Sequence, residues 1–223
     1  MIVTIDGPAG AGKTTVAKAL AQRLGARFLD TGAMYRAVAL AGRQAGINWG
    51  DGSQLAALAR SMDLRLDGSV VWLNGQDVTA AIRSSELAPY IRQAADDPGV
   101  RAELIDRQRA FASQGDLVTE GRDQGTLVFP DADYKFYLMA SPKERARRRR
   151  SDLQKQGETA TLEQVLEQQQ QRDRQDQARA WGRLSRAADA IEVDTDGLSP
   201  EQVVARLEQL VQQPRPLAHG GGN

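Results

Sequence analysis

The chain has 223 residues, of which 29 are basic and 29 acidic, 41% are apolar, one is histidine and none is cysteine. The absence of cysteine excludes disulfides, thiolate zinc sites and thiol nucleophiles, and the balanced charge argues against a general nucleic-acid binder. The sole histidine, His219, lies in the Pro- and Gly-rich stretch 213–223, which we expect to be a disordered tail, so catalysis by histidine is excluded as well. Lysine, arginine, carboxylates, hydroxyls and backbone amides remain, and phosphoryl transfer uses this set.

The first elements alternate between strand and helix. Residues 1–5 form a β-branched run that predicts a buried strand, and apolar positions recur at helical spacing over 14–24. A second strand is predicted at 28–29 and a second helix at 33–45. This alternation is typical of a parallel sheet covered by helices.

The segment 47–99 breaks this alternation. Short apolar runs at 64–66 and 70–73 flank the turn residues Asp67-Gly68-Ser69, and this pattern predicts an antiparallel hairpin. We therefore predict a small inserted subdomain at this place in the chain.

Downstream, the alternation between helix and strand returns. The pattern predicts a helix over 100–113, strands at 116–120, 135–138 and 190–194, and a final helix from 199 to 212. Two strongly polar helical stretches cover 143–155 and 161–179. No run approaches about 18 apolar residues and the first residues do not resemble a signal peptide, so we expect a soluble cytoplasmic protein without a membrane partner.

The strongest motif follows the first strand. Residues 7–14, Gly-Pro-Ala-Gly-Ala-Gly-Lys-Thr, fit G-x-x-x-x-G-K-[ST] and lie between a strand and a helix, where a phosphate-binding loop (P-loop) forms. Lys13 would reach the β- and γ-phosphates and the Thr14 hydroxyl would ligate Mg²⁺, while backbone amides hold the remaining oxygens. The predicted ATP site comprises Gly7, Pro8, Ala9, Gly10, Ala11, Gly12, Lys13, Thr14 and Thr15. A P-loop alone does not separate kinases from GTPases or motor ATPases, although no lysine lies in the [NT]-K-x-D motif that GTPases use.

Two further loops follow predicted strands. Asp30-Thr-Gly-Ala-Met-Tyr-Arg36 follows the second strand, and Gly121-Arg-Asp-Gln-Gly-Thr126 follows the third. In an open α/β sheet such loops share one crevice. We therefore expect Lys13, Arg36, Arg122 and Asp123 to converge, although single arginines at such positions are more often surface ion-pair partners.

In this order, the blocks resemble the bacterial cytidylate kinase (CMP/dCMP kinase) family as far as about residue 212. Besides the segments above, the resemblance is carried by Leu73-Asn-Gly-Gln-Asp-Val-Thr79, Pro98-Gly-Val-Arg101, 172–179 and 188–195. It implies an α/β P-loop kinase of three-layer fold, with a parallel central sheet, that phosphorylates CMP and dCMP to CDP and dCDP with ATP and Mg²⁺. The implied single kinase domain, 1–212, has a core (1–46, 100–142 and 180–212), a nucleoside-monophosphate-binding (NMP-binding) insertion (about 47–99) with strands and a helical lid (about 143–179).

The resemblance also implies roles for individual residues. Thr31, Arg36 and Arg122 would bind the CMP phosphate. Arg101 and Asp123 would read the cytosine edge, and Asp176, with Arg172 and Arg179, would serve the ribose and the phosphates. The implied catalytic set is Lys13, Arg122, Asp176 and Arg179, and the arginines of 145–150 would belong to the lid, whereas a charge run alone is usually a solvated helix face. The chain departs from the family at Arg92, where a small Ser often touches the base, and at Gln124, which replaces a usual Met. Where the family usually has Gly after the P-loop lysine, this chain has Thr14 followed by Thr15, which leaves both hydroxyls as candidates to face Mg²⁺.

Two alternatives remain open at this point. One is a kinase for another small acceptor, such as UMP or shikimate. The other is a nucleic-acid-binding or switch protein with a P-loop that uses 145–150 as a contact patch, which zero net charge and 5% aromatic residues disfavour. The partners we expect are ATP and CMP or dCMP, without nucleic acid, bound by a monomer.

Overall fold

The computed structural model describes residues 1–155 and 157–213. Its strands are β1 (Ile2–Asp6), β2 (Arg27–Asp30), β3 (Leu64–Asp67), β4 (Val70–Leu73), β5 (Gln76–Asp77), β6 (Leu117–Gly121), β7 (Tyr134–Met139) and β8 (Ile191–Asp194). Its α-helices are α1 (Lys13–Leu24), α2 (Thr31–Ala45), α3 (Gly52–Ser61), α4 (Ala88–Asp96), α5 (Pro98–Ala112), α6 (Pro142–Lys155), α7 (Leu162–Ala178) and α8 (Pro200–Gln212). From residue 214 onward, the predicted tail lies outside the described residues.

A five-stranded parallel sheet, in the order β2-β6-β1-β7-β8, organises the fold. β1 lies at its centre and is buried on both faces, as its β-branched sequence requires. Asp6 pairs in register with Gly121, and Asp30 pairs with Glu120. The carboxyl ends of β1, β2 and β6 therefore meet at one edge, and the loops that follow them share a crevice.

Helices cover the sheet through two apolar clusters. One cluster joins the sheet to α1 and α8 and includes Ile5, Leu20 and Leu207. The other joins it to α2, α5 and the inserted segment and includes Leu29 and Leu104. These clusters confirm the predicted α/β fold with helices flanking a parallel sheet.

The inserted segment contains the predicted hairpin and also two helices that we did not predict. β3 and β4 pair antiparallel, with Leu64 opposite Leu73, and β5 extends them to a three-stranded sheet. α3 and α4 complete the segment, but each buries few side chains: Leu55 and Ala59 in α3, and Ala94 in α4. So few buried positions do not produce a clear helical period in the sequence.

α6 and α7 pack against each other through a small cluster of their own, made of Ala146, Leu153 and Val165. This cluster is separate from the two that hold the sheet. Within the described part of the chain, no helix is both long and apolar enough to span a bilayer.

Candidate active site

The loop between β1 and α1 lies against the neighbouring strand. Gly7 has φ 145°, and a Cβ at this position would overlap the carbonyl oxygen of Leu138 in β7, so only glycine fits. The loop leads into α1, where Lys13 is 5% exposed and donates from Nζ to the Pro8 carbonyl oxygen at 2.9 Å. Burial, with repulsion from Arg122 second, lowers the pKa of Lys13 to about 7. The carboxylates of Glu120 and Asp6 only partly offset this shift.

The next residue, Thr14, is exposed and donates its hydroxyl hydrogen to Glu120 Oε1 at 2.8 Å. Glu120 lies near the end of β6 that faces the crevice, and it is buried. Burial raises the pKa of its carboxyl, although Lys13 and the Thr14 hydroxyl act in the opposite direction. We did not predict a role for Glu120 from the sequence. Its position at a strand end, directly before Gly121-Arg122, was the available signal.

Asp6 was likewise missed, although it ends β1 immediately before the P-loop. Its two carboxylate oxygens accept the backbone N–H groups of Gln124 at 2.9 Å and Gly125 at 2.7 Å. Burial raises the pKa of Asp6 to about 7. Through these two hydrogen bonds, Asp6 holds the loop after β6 next to the first residues of the P-loop.

A set of cations faces the P-loop lysine. Arg36 of α2 pairs with Asp30 at 2.9 Å, yet its buried Nε–H has no acceptor. Arg172 of α7 has a pKa lowered by loss of solvent and by the charges of Arg122 and Arg36. Arginines that repel one another in this way are stabilised by a multiply charged anion, so the arrangement is suited to phosphate groups.

Arg122 belongs to this set and also begins a chain of ion pairs. Its Nε donates to Asp176 Oδ2 at 2.9 Å, and Asp176 Oδ1 accepts from Arg179 Nη2 at 3.1 Å. Arg179 Nε in turn donates to Asp96 Oδ1 at 2.7 Å. Burial tends to raise the pKa of Asp176, but Arg122 and Arg172 hold it below its usual value. The chain of ion pairs joins the end of β6, α7 and the inserted helix α4.

Arg101 and Asp123 form a buried ion pair beside this chain. Arg101 is 2% exposed, and its Nη1 donates to the Ala95 carbonyl oxygen at 3.3 Å, while its buried Nε–H has no acceptor. Burial raises the pKa of Asp123, although the guanidinium of Arg101 counteracts the shift. The centroid of the Tyr35 ring lies 5.7 Å from the guanidinium carbon of Arg101. Burial raises the pKa of the Tyr35 hydroxyl to about 12. The unused N–H of Arg101 marks a place for a ligand acceptor.

Thr31 begins α2 beside the end of β6, and its hydroxyl is already engaged. It is buried and donates to the backbone oxygen of Glu120 at 2.7 Å, which ties α2 to β6. The two departures from the family pattern also have partners: Arg92 is exposed, 3.5 Å from Asp96, and Gln124 is buried against Thr119 and Gln108. Arg92 therefore adds a second cation beside Asp96, the carboxylate at which the ion-pair chain ends.

The arginine-rich stretch of α6 does not behave as a uniform solvated face. Arg145 is buried, donates to the Ala9 carbonyl oxygen of the P-loop at 3.0 Å and pairs with Asp173 of α7 at 2.7 Å. Arg148 donates to the Thr195 carbonyl oxygen at 2.7 Å. α6 is thereby connected to the P-loop, to α7 and to the loop after β8.

Comparisons with known proteins show the family to which the chain is related. The family model described as cytidylate kinase matches residues 3–213. A cytidylate kinase of Rhodopirellula baltica is 47% identical over 213 residues, covering 96% of this chain and 93% of that protein. A bifunctional pantoate ligase/cytidylate kinase of Synechococcus elongatus is 50% identical over 218 residues, covering 94% of this chain and 41% of that protein. Among solved structures, a shikimate kinase from Bacteroides thetaiotaomicron aligns with a TM-score of 0.50 at 16% identity, covering 96% of this chain and 99% of that one, and shows the fold alone.

Proposed function

The chain belongs to the cytidylate kinase family, and on that premise we propose that it transfers the γ-phosphoryl group of ATP to the phosphate of CMP or dCMP. The products are ADP and CDP or dCDP. The acceptor is already an anionic phosphate oxygen, so the reaction needs no protein nucleophile, and catalysis depends on positioning and on neutralisation of charge. None of the comparisons supports UMP, shikimate or nucleic acid as the partner instead.

One observation carries the proposal: Lys13 and three arginines converge, and the carboxylates beside them do not offset the loss of solvent and the mutual repulsion at Lys13 and Arg172. Burial and Arg122 lower the pKa of Lys13 to about 7, and the charges of Arg36 and Arg122 lower the pKa of Arg172. A triphosphate donor and a monophosphate acceptor would relieve this repulsion on both sides of the transferred group. The transition state, which spreads charge over the equatorial oxygens, would be stabilised by the same cations.

On the donor side, the loop amides and Lys13 hold the phosphates of ATP, with Arg145 fixing the loop through Ala9. The residues at Thr14 fit a magnesium ion, because a hydroxyl oxygen and the Glu120 carboxylate lie 2.8 Å apart at the helix start. No group of three or more acidic or histidine side chains within residues 1–155 and 157–213 could hold a metal. Mg²⁺ usually takes most of its ligands from substrate phosphates and water, so few protein oxygens are needed to hold it. When bound, Mg²⁺ would neutralise charge on the β- and γ-phosphates.

On the acceptor side, the phosphate of CMP lies at Arg36, Arg122 and Arg172. The Nε–H of Arg36, buried without an acceptor, would donate to it. Thr31 contributes by holding α2 in place, since its only hydroxyl hydrogen is engaged with the backbone.

The nucleoside of CMP lies at two neighbouring ion pairs. Asp176 and Arg179 serve the ribose, and Arg101 and Asp123 read the cytosine. The unpartnered Nε–H of Arg101 is available for an acceptor on the base. We assign the NMP-binding insertion to 47–99 and the lid to 143–179. A monomeric state and a cytoplasmic location stay predictions.

A coupled ADP-release assay tests the proposal across CMP, dCMP, UMP, AMP, GMP and shikimate, with Lys13→Met as the inactive control. We expect acceptor-dependent ADP release with CMP and dCMP, and ³¹P NMR should identify the second product as a nucleoside diphosphate. Release with shikimate or a purine monophosphate, and none with CMP, would contradict the assignment.

A further inference from the structure

The turn that follows α7 lies directly on the Arg101–Asp123 pair. Gly182 has φ +68°, and a Cβ there would overlap the Arg101 guanidinium and lie 2.5 Å from Asp123 Oδ2. Arg179 anchors the turn, because its Nη1 donates to the Gly182 carbonyl oxygen at 3.3 Å while its Nη2 bonds Asp176. The turn is therefore held against the ion pair rather than extending into solvent.

Trp181, the residue before Gly182, brings an indole ring to the same place. Its centroid is 5.7 Å from the Arg101 guanidinium carbon, the same distance as the Tyr35 ring. Both distances lie within the range of cation–π attraction, which is strongest for tryptophan. Trp181 is nevertheless 38% exposed, so part of the ring has no protein against it. An apolar ring with a free surface beside a buried charge pair is suited to cover a flat ligand.

We propose that Trp181 is a positioning residue of the nucleobase site, which holds the Arg101 guanidinium beside Asp123 and forms one wall for the pyrimidine. This inference rests on the proposed function, in which Arg101 and Asp123 read cytosine. A hydrogen-bonding site discriminates between bases most strongly when water cannot satisfy the mismatched groups. The indole excludes water there and offers only one N–H of its own that could compete for the base.

The kinetic test compares Trp181→Ala and Trp181→Phe with Ile191→Ala. Ile191 is the control for loss of an exposed apolar side chain, since it is 41% exposed and begins β8, outside the insertion and the lid. We expect Trp181→Ala to raise KM for CMP by about 5- to 30-fold, with kcat and KM for ATP changed less than about 3-fold, and to lower the CMP-over-UMP preference. Trp181→Phe should recover most of the loss, and Ile191→Ala should behave as wild type.

A spectroscopic test does not depend on turnover. The chain has three tryptophans, so the double variant Trp49→Phe/Trp72→Phe leaves Trp181 as the only one, and its CMP kinetics should confirm an intact site. Titration with CMP should change the emission of Trp181 in this protein, whereas UMP at the same concentration should change it much less.

The outcomes separate the two proposals. If wild type phosphorylates CMP but Trp181→Ala keeps KM and base preference, or the Trp181 emission ignores CMP, this inference is overturned and the proposed function stands. If wild type does not phosphorylate CMP, the proposed function fails, and the inference that rests on it fails as well.

Discussion

Replacement of Lys13 by methionine should remove activity and yet stabilise the fold. The lysine is buried at the P-loop, and burial together with Arg122 lowers its pKa from 10.5 to about 7. Each pKa unit corresponds to about 1.4 kcal/mol, so this difference sets a ceiling of roughly 5 kcal/mol on the free energy that the folded state loses by charging Lys13. Methionine keeps most of the aliphatic stem but loses the bond to Pro8, which contributes about 1 kcal/mol. Side chains around the charged lysine can rearrange and recover part of this free energy, so we expect a net stabilisation of about 1–3 kcal/mol at pH 6.

The pH dependence identifies the cause of this stabilisation. Below pH 7, Lys13 is charged in both the folded and the unfolded chain, so the destabilisation is fully present. Between pH 7 and 10.5 the unfolded chain binds the proton and the folded chain does not, so wild-type stability rises with pH and the advantage of the variant shrinks. The pKa of Asp6 is raised to about 7, so this residue makes the stability of the fold decrease as pH rises from about 4 to 7. Asp6 is present in both wild type and Lys13→Met, so its contribution cancels when the two proteins are compared.

Thermal and denaturant unfolding at pH 6 and pH 9 measure this difference. We expect a Tm for Lys13→Met about 3–10 °C above wild type at pH 6, and a smaller gap at pH 9. Lys18→Met is the matched control, because Lys18 is exposed on the same helix, and its effect should be near zero and independent of pH. In the ADP-release assay, kcat of Lys13→Met should fall by about 10²- to 10⁴-fold. A variant less stable than wild type at pH 6, or one that retains wild-type turnover, would refute the reasoning.

Three further predictions follow from the same structure. Binding of ATP near pH 8 should be accompanied by the uptake of as much as about one proton, because the phosphates raise the pKa of Lys13. Calorimetry in buffers of different ionisation enthalpy measures this uptake. If Lys13 were already charged before ATP binds, no uptake would be detected. Amide exchange in α6 and α7 should be faster than in β1 and β6 without nucleotide, since the apolar contacts of these helices are confined to a small separate cluster. It should slow when ATP and CMP are both bound, and equal protection in both states would argue against a lid. Asp96→Asn removes the anion that pairs with Arg179 at 2.7 Å and should raise KM for CMP about 2- to 5-fold with kcat unchanged. Glu208→Gln is the control, because it breaks the surface pair with Arg23 outside the insertion and the lid, and it should have no effect. Equal effects would mean that the Asp96 pair is ordinary surface charge.

The parts of the fold that the sequence predicted are those with a strong local pattern. β1 and α1 follow from a β-branched run, a glycine-rich loop and a helical period, and the hairpin of β3 and β4 follows from Asp67-Gly68-Ser69. α3 was missed because most of its surface is exposed, although its N-cap, Asp51, accepts from the backbone of Ser53 and Gln54 and was a readable start signal. Local patterns thus predict elements that bury a full face and miss those that do not.

The sequence predicted which residues belong to the site better than it predicted which of them form ion pairs with each other. Strand ends and the P-loop indicated that Lys13, Arg36, Arg122 and Asp123 belong to one crevice. The ion-pair partners of Arg122 and Asp123, however, are Asp176 and Arg101, which lie 54 and 22 positions away along the chain. Spacing along the chain carries no signal for such contacts. In the same way, nothing in the run 145–150 distinguishes Arg145, which contacts the P-loop, from the exposed Arg147.

The central claim is that Arg101 and Asp123 recognise the cytosine of CMP, and the preference for CMP over UMP tests it most directly. This preference is measured as the ratio of the two kcat/KM values in wild type, Asp123→Ala and Asp123→Asn. Cytosine offers an N4 amino donor beside the N3 and O2 acceptors, which suits a carboxylate beside a guanidinium, whereas uracil offers O4 as an acceptor and N3–H as a donor. We expect wild type to prefer CMP by at least about 10²-fold, because UMP would leave mismatched groups opposed in a buried site. Asp123→Ala should reduce this ratio, and the nearly isosteric Asp123→Asn should reduce it without loss of the fold, since its amide can donate to O4. A wild type without preference, or variants that slow both substrates by the same factor, would contradict the account.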